Sequence, residues 1–333
     1  MRSGVKKTLI TAAVLCVVGI IVGAIGFCLM GYSFDDLKQE PLTESTYTFT
    51  EDINLLGITT DTSDVELILT DGGETKVVCR EDEEGKFNAY VKTDTLGNKI
   101  LYVELAYKVK RWYEHIEVSG IFGTTEEEKI TVYLPKAEYD ACQIETDTGD
   151  VTIPAGLTFT SLVAKADTGD INFYSSVKDV LWIGTNTGDI TVKDSSVGTL
   201  RTETDTGKIS ISSTNVSGTM MFESDTGNIY FENVNAKNLT ADSGTGDVVL
   251  SGTVIAGVIS IETDTGDVRF SSSDGGTLCI ETDTGDVKGT LLTEKIFLVE
   301  TDTGRVNVPK TVTGGKCEIT TDTGDIKITI ENP

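Results

Sequence analysis

The stretch Glu262–Val287, ETDTGDVRFSSSDGGTLCIETDTGDV, contains the hexapeptide TDTGDV twice. Related hexapeptides recur ten times between residues 146 and 326, and their glycines are spaced 19 or 20 residues apart. These repeat glycines, which number the repeats from 1 to 10, are Gly149, Gly169, Gly188, Gly207, Gly227, Gly246, Gly266, Gly285, Gly304 and Gly324. A degenerate copy, TDTSDV, lies at 60–65 with Ser63 in place of the glycine. A fixed period of this length indicates a repeat architecture.

Apolar residues occupy fixed positions relative to each repeat glycine. The seventh residue before it is apolar in every repeat, as at Leu200, and the fifth before it is apolar in most, as at Ile261. The second residue after it is always Val or Ile. This alternation predicts a strand, a tight turn and a second strand with one apolar face, which must be covered by stacking the repeats. We therefore expect an all-β fold, a β-solenoid of about ten rungs with a β-rich N-terminal cap; a meander of hairpins is the alternative.

The turn sequence has a physical interpretation of its own. Glycine supplies the positive φ of a sharp corner, and the aspartate two residues earlier can accept backbone N–H groups. A threonine directly precedes all ten repeat glycines. We expect its hydroxyl to form a ladder that satisfies neighbouring turns.

Aspartate recurs on both sides of the glycine, two residues before it in eight repeats and directly after it in seven. Stacking aligns these like charges, and two carboxylates about 5 Å apart repel by roughly 1 kcal/mol even in water. The ladder is interpreted either as a solvated turn or as a set of weak Ca²⁺ sites, because hard cations take carboxylate oxygens. The candidate Ca²⁺ ligands are Asp147, Asp150, Asp167, Asp170, Asp264, Asp267, Asp283, Asp286, Asp322 and Asp325. No other cofactor is expected.

Composition excludes several classes of function. With 27 Lys+Arg against 53 Asp+Glu, the formal charge is -26, which excludes a nucleic-acid binder that relies on phosphate neutralisation. The single histidine, His115, leaves no site built on several histidines. A glycosidase needs one carboxylate pair in a distinct environment, whereas these carboxylates are repeated equivalents. We predict that the chain is not an enzyme.

An uncharged apolar run from Leu9 to Met30 has the length of a membrane-spanning helix. Lys6 and Lys7 precede it, so the positive-inside rule places residues 1–8 in the cytoplasm and the remainder outside. The sequence predicts a single-pass anchor at 9–31 in a bacterial cell membrane. A cleaved signal peptide is the alternative, although the run is longer than the usual apolar region and lacks a small-residue cleavage site.

The rest of the chain divides into three predicted segments: a juxtamembrane linker at 32–46, a β-rich N-terminal part at 47–140 and the repeat solenoid at 141–333. The N-terminal part suits the atypical cap that a solenoid needs. The chain ends almost at the strand KITI (327–330), and this C-terminal edge is a candidate docking surface. Residues 108–115, KVKRWYEH, are a basic aromatic cluster, interpreted as an edge strand or as a contact for an anionic surface. Cys142 and Cys317 fall on inward positions and are expected to be small buried hydrophobes.

From residue 47 onward the chain resembles the bacterial toastrack-like domain of unknown function, also called the putative adhesin family. The resemblance rests on ITTDTSDVELILTDGGETKVVCR (58–80), EKITVYLPKAEYDACQIETDTGDV (128–151) and the repeats themselves. It implies an extracytoplasmic β-solenoid on a membrane tether, and relatives are associated with the cell envelope and in some cases with envelope-stress signalling. The single predicted anchor differs from relatives that have several membrane segments.

These expectations combine into one predicted function, a non-enzymatic binding or scaffold module of the bacterial cell envelope. We expect a protein or cell-wall polymer partner at the solenoid face or the C-terminal edge, with the membrane contacted through residues 9–30 and no nucleic-acid partner. The alternatives are the ectodomain of an envelope-stress sensing complex and, third, a carbohydrate-active enzyme.

Overall fold

The computed structural model describes residues 42–81, 86–106 and 128–331. Within these ranges the regular secondary structure consists of β-strands. None of the described residues forms a helix that is long and apolar enough to cross a membrane. The predicted anchor at 9–31, its cytoplasmic flank, most of the predicted linker and the cluster at 108–115 lie outside the described residues.

Seven strands precede the repeats: β1 (Thr43–Phe49), β2 (Leu55–Thr60), β3 (Asp64–Thr70), β4 (Thr75–Glu81), β5 (Phe87–Thr93), β6 (Lys99–Leu105) and β7 (Lys129–Pro135). Repeats 1 to 5 contain β8 (Glu138–Thr148), β9 (Val151–Ile153), β10 (Thr158–Thr168), β11 (Ile171–Phe173), β12 (Ser176–Thr187), β13 (Ile190–Lys193), β14 (Ser196–Thr206), β15 (Ile209–Ser212), β16 (Asn215–Val216), β17 (Thr219–Thr226) and β18 (Ile229–Glu232). Repeats 6 to 10 contain β19 (Asn235–Ala236), β20 (Asn238–Thr245), β21 (Val248–Ser251), β22 (Val254–Thr265), β23 (Val268–Thr284), β24 (Val287–Leu291), β25 (Lys295–Thr303), β26 (Val306–Asn307), β27 (Gly315–Thr323) and β28 (Ile326–Ile330). The first strand begins at Thr43, inside the segment predicted to be a linker.

Successive repeats pair in parallel, each residue beside its equivalent in the next repeat. Leu162 in β10 pairs with Cys142 on one side and Leu181 on the other. Strands that precede the repeat glycine form sheet B, and strands that follow it form sheet A. The fold is therefore the predicted β-solenoid, and the alternative meander is wrong because hairpins would pair antiparallel.

The core lies between the two sheets and contains the predicted apolar columns. Leu200 and Ile261 from sheet B are 0% and 1% exposed, and Val151 and Ile153 from sheet A are fully buried. Cys142 and Cys317 are 2% and 0% exposed, which confirms their interpretation as small buried hydrophobes. Because every rung contributes equivalent side chains, the core continues from one repeat to the next.

The degenerate copy at 60–65 forms a rung of its own. Its strands β2 and β3 pair in parallel with β8 and β9 of repeat 1, 86 residues later in the chain, where the N–H of Asp150 donates to Asp64 Oδ1. Beyond this rung, β6 and β7 add one more parallel layer, and the antiparallel strands β5, β4 and β1 complete the N-terminal end. These antiparallel strands are the irregular cap that the sequence predicts.

The last two repeats stack in reverse order. Strands β23 and β24 of repeats 7 and 8 pair with β27 and β28 of repeat 10, which in turn pair with β25 and β26 of repeat 9. Repeat 10 thus lies between repeats 8 and 9, and the terminal rung is repeat 9. The prediction that the final strand forms the free edge is wrong: β28 is paired on both sides, whereas β25 and β26 each pair on one side among the described strands.

A buried ion pair links the terminal rung to the rung beyond its neighbour. Lys295 in repeat 9 lies beside Gly315 in repeat 10, and its Nζ is 2.6 Å from Asp274 Oδ1 of repeat 8. The lysine side chain is 3% exposed and also donates to Thr293 Oγ1, 2.5 Å away. Gly315 has no side chain to block this path, and an added Cβ would lie 3.7 Å from Lys295 Cδ.

Candidate functional site: the repeat corners and the outer face of sheet B

The repeat glycines are fixed by contact between rungs. A Cβ added to Gly169 would lie 2.2 Å from the carbonyl oxygen of Gly149, and at Gly227 the same distance to Gly207 is 1.8 Å. All ten repeat glycines have a backbone oxygen of the neighbouring rung within 2.4 Å of such a Cβ. Positive φ, which the sequence analysis invoked, holds for Gly169, Gly188, Gly207, Gly227 and Gly246. The close approach of stacked backbones therefore explains the full column, and positive φ explains half of it.

The aspartate after the glycine bonds to the backbone of the next rung. The N–H of Asp170 donates to Asp150 Oδ1 at 2.7 Å, and the N–H of Asp189 donates to Asp170 Oδ1 at 2.7 Å. The same bond joins further neighbours, with acceptors Asp64, Asp189, Asn228, Asp247, Asp267, Asp286 and Asp325. These carboxylates stabilise the stack by accepting an N–H group that the neighbouring strand leaves free.

Hydroxyl groups also join adjacent corners, but at a different position from the one predicted. Thr185 Oγ1 donates to the carbonyl oxygen of Gly169 at 3.1 Å, and Thr321 Oγ1 donates to that of Gly285 at 3.1 Å. Both threonines lie three residues before their repeat glycine. The threonine directly before the glycine, such as Thr148, is exposed. The hydroxyl ladder is therefore built from the buried position of the corner.

Basic side chains compensate part of the ladder's charge. The Lys288 ammonium and the N–H of Asp325 lower the pKa of Asp286, and Arg305 lowers the pKa of Asp325. At Asp247 burial opposes ionisation, but the N–H of Asp267 and the Arg269 guanidinium outweigh it and lower the pKa.

The aspartates two residues before the glycine have a different environment. Asp147, Asp167, Asp264, Asp283 and Asp322 are exposed on the outer face of sheet B. Partial burial and the neighbouring charges of Asp61 and Asp167 raise the pKa of Asp147, which is the like-charge repulsion expected from stacking.

The structure separates the proposed Ca²⁺ ligands into these two columns. Asp150, Asp170, Asp267, Asp286 and Asp325 accept backbone N–H groups, while the other five candidates face outward. Within the described ranges, no group of three or more His, Cys, Asp or Glu side chains is arranged to hold a metal ion. Calcium binding stays a prediction, which unfolding with EDTA and with millimolar Ca²⁺ would test.

The outer face of sheet B carries three outward columns, at six, four and two residues before each repeat glycine. From repeat 4 toward repeat 9 the two columns nearest the corner are mainly acidic. Their members include Glu203, Asp205, Glu223, Asp225, Asp242, Glu262, Asp264, Glu281, Asp283, Glu300 and Asp302. Arg201 pairs with Glu203 at 3.4 Å on this face.

Two aromatic features lie on sheet B between the cap and the acidic columns, and the sequence analysis identified neither. Trp182 in repeat 3 lies between two cations, with Lys165 Nζ 4.0 Å and Arg201 Cζ 5.8 Å from the centre of a ring of its indole. Near the cap, the rings of Tyr90 and Tyr102 stack with their centroids 5.6 Å apart. The column alignment could have shown Trp182, because it is the one aromatic residue six positions before a repeat glycine.

The terminal rung carries a group of exposed apolar side chains. Leu298 is 52% exposed, and Val306, which occupies a position buried in the other repeats, is 46% exposed. Leu292, Ile296 and Val312 lie in the same stretch of chain and are also exposed. The free edge of the stack and its exposed apolar side chains thus lie on repeat 9, not at the C-terminal strand where the sequence predicted a docking surface.

Three of the four described cysteines are buried free thiols. Cys79, Cys142 and Cys317 are buried. Burial raises the pKa of Cys79 and of Cys317 to about 12, so neither thiol ionises near neutral pH.

The chain is similar to several known proteins. Similar solved structures include a protein described as a putative adhesin from Bacteroides fragilis NCTC 9343, with 14% identity over 86% of this chain and 97% of that chain and a TM-score of 0.37. A protein from Parabacteroides distasonis ATCC 8503, described as a putative lipid binding protein, has 12% identity over 86% of this chain and 97% of that chain, with a TM-score of 0.44. A search of curated proteins gave no significant match. The family model described as Toastrack DUF4097 matches residues 53–225 and again residues 219–333. The chain therefore belongs to the Toastrack DUF4097 family.

Proposed function

We propose that this chain is a non-enzymatic binding module of the bacterial cell envelope, held outside the cell membrane by the helix predicted at 9–31. The observation that carries the binding role is the outer face of sheet B, a continuous parallel sheet whose three outward columns present mainly polar side chains and one tryptophan. A face of this kind offers the same spacing from rung to rung. It suits an extended partner such as a cell-wall polymer.

The repetition of the carboxylates supports a binding role over catalysis. General acid–base chemistry needs one pair of groups in a distinct environment. On sheet B, residues such as Glu223, Glu262 and Glu281 occupy equivalent positions in equivalent surroundings. No single pair among them is set apart for a reaction.

Membrane tethering and envelope binding are tested with the full chain expressed in bacteria. We expect the protein to stay with membranes after an alkaline carbonate wash and to be degraded by protease added to intact cells. After solubilisation it should sediment with purified cell-wall sacculi. Release by carbonate or protection from protease in intact cells would contradict the proposed location, and failure to sediment would contradict the polymer partner.

The same preparation distinguishes the two other functions. A regulatory ectodomain predicts a membrane protein that co-purifies with the chain and is lost when residues 9–30 are replaced by an unrelated helix. A carbohydrate-active enzyme predicts sugar release from sacculi that one carboxylate substitution abolishes. We expect neither result.

A further inference from the structure

Repeat 3 differs from its neighbours at all three outward positions of sheet B. Trp182, Gly184 and Asn186 occupy these positions, whereas eight of the ten repeats carry a charged residue in the middle column and eight carry aspartate in the third. Its inward residues Leu181 and Ile183 remain apolar and fully buried. Stacking explains the inward residues. It does not explain why one rung changes its whole outward face.

The three residues form a notch in the sheet surface. The notch has a volume of about 220 Å³, with Trp182 in its wall and Gly184 in its lining. A Cβ added to Gly184 would have one atom within 4 Å, the Glu203 carbonyl oxygen at 3.8 Å, so the space above this glycine is open. Lys165 and Asp167 from repeat 2 complete one side.

One buried polar atom of Trp182 lacks a hydrogen-bond partner within the described ranges. Trp182 Nε1 is buried and has no hydrogen-bond partner among the described residues. A buried indole N–H usually finds an acceptor, because leaving it unpaired costs about 1–3 kcal/mol. Lys165, at 4.0 Å from the ring centre, holds the indole in place without accepting this hydrogen bond.

The lining selects the chemistry of the ligand. Asp167, Glu203 and Asp205 contribute three negative charges against the positive charges of Lys165 and of Arg201, which pairs with Glu203 beside the notch, and this negative balance disfavours anionic polymers. The carboxylates accept hydrogen bonds, whereas Lys165 donates them. A ligand that satisfies both kinds of group carries hydroxyl or amide groups and no negative charge. Building on the proposed function, we infer that the notch binds one unit of a neutral sugar polymer of the cell envelope.

Tryptophan fluorescence tests this site directly. The chain has two tryptophans, so Trp112→Phe leaves Trp182 as the single reporter. The full chain is kept in a detergent without a sugar headgroup and titrated with chitotetraose, a neutral N-acetylglucosamine oligomer, and with tetragalacturonic acid as the anionic comparison. We expect a saturable change in Trp182 emission with the neutral oligomer and at least a tenfold lower affinity for the anionic one.

Further variants test whether the change in Trp182 emission comes from ligand binding in the notch. Gly184→Thr fills the open space and should weaken binding at least tenfold, while Ser260→Thr, which creates a threonine on the outward face of repeat 7 away from the notch, should leave it unchanged. Trp182→Phe keeps an aromatic ring but shortens the notch wall, and calorimetry should show weaker binding.

The proposal that the notch binds a sugar is wrong if Trp182 emission shows no saturable change, or if Gly184→Thr binds the oligomer with wild-type affinity. Sedimentation of the same variants with sacculi separates this failure from that of the proposed function. If wild type and Gly184→Thr sediment equally, the envelope partner stands and the notch does not. If wild type stays in solution, the proposed polymer partner itself fails.

Discussion

At the scale of single residues, the glycine of the hexapeptide and the aspartate after it are each explained by an atom in a neighbouring rung. The repeat glycine makes room for a carbonyl group, and the aspartate after it receives an N–H group. The sequence predicts that a corner lies here, because glycine and aspartate favour turns. It does not reveal the reason for all ten glycines, because the contact lies between repeats and a single repeat does not contain it.

Gly227 is the repeat glycine at which an added Cβ would lie nearest to a neighbouring carbonyl oxygen, so its substitution tests this contact. We expect Gly227→Ala to destabilise the protein by about 3 kcal/mol or more, because the new Cβ would overlap the Gly207 carbonyl oxygen, which lies 1.8 Å away. The matched control is Gly73→Ala, where nothing lies within 4 Å of the added atom. Thermal unfolding followed by circular dichroism compares the two. Equal melting temperatures would show that the rungs are not stacked as closely as described.

The aspartate ladder predicts different effects for two substitutions of one residue. Asp286→Ala removes the acceptor for the N–H of Asp325 and should destabilise by about 1–3 kcal/mol. Asp286→Asn keeps an oxygen acceptor, as Asn228 does naturally, and should lose less. Denaturant unfolding at neutral pH measures both, and a larger loss for the asparagine variant would contradict the hydrogen-bond role.

The same ladder predicts a dependence on pH. Since the folded-state pKa of Asp286 is lowered, its charge stabilises the fold above the unfolded-state pKa of about 3.9. That contribution is lost as pH falls through the lower folded-state value. The stability difference between wild type and Asp286→Asn should therefore shrink on acidification toward pH 2, and a difference that grows would contradict the sign of the shift.

At the scale of strands, alternation was sufficient to predict both inward columns and hence the solenoid. The sequence does not assign the pairing partners at the cap, because 77 residues without the repeat period separate β2 from β8 and nothing in them sets a register. The notch was missed for a different reason. Its outward residues depart from those common at these positions, and an alignment that looks for repeated residues does not reveal a departure in one repeat.

Charge introduced into an inward column should disrupt neighbouring rungs. We expect Leu200→Asp or Ile261→Asp to unfold the repeats around the substitution, because each side chain is at most 1% exposed and the new carboxylate would have no partner. Thr240→Asp, on an exposed outward position, should have little effect. Hydrogen exchange resolved by peptide measures how far the loss extends. Wild-type protection in Leu200→Asp would mean that the inward register is wrong.

The buried ion pair at the terminal rung makes a further prediction. Lys295→Met would leave Asp274 without its cation, and removing one partner of a buried pair typically costs about 3–5 kcal/mol. Adding Asp274→Asn, which removes the unpaired charge, should recover most of this loss. Unfolding of the two variants by denaturant provides the comparison. A double variant no more stable than Lys295→Met would show that the pair does not link these rungs.

At the scale of the whole molecule, the order of the rungs departs from the order of the repeats. The spacing from Gly285 to Gly304 and from Gly304 to Gly324 is as regular as elsewhere, so the period carries no sign of the exchange. One residue is consistent with it: Arg305 cannot accept an N–H group, which suits a terminal rung. Lys208 interrupts the ladder in the same way inside the stack, so a basic residue at this position does not by itself mark a terminal rung.

The stacking of repeat 10 against repeat 8 is the central structural claim, and one engineered disulfide tests it. Thr290 of β24 pairs with Thr329 of β28, and their hydroxyl oxygens are 3.1 Å apart. The double variant Thr290→Cys/Thr329→Cys should therefore form a disulfide on mild oxidation, detected by mass spectrometry of the linked peptides. If the rungs followed the order of the repeats, Thr290 would lie beside Pro309 and two rungs from Thr329. A disulfide could not span that distance. Failure of the 290–329 pair together with a disulfide in Thr290→Cys/Pro309→Cys would contradict the account.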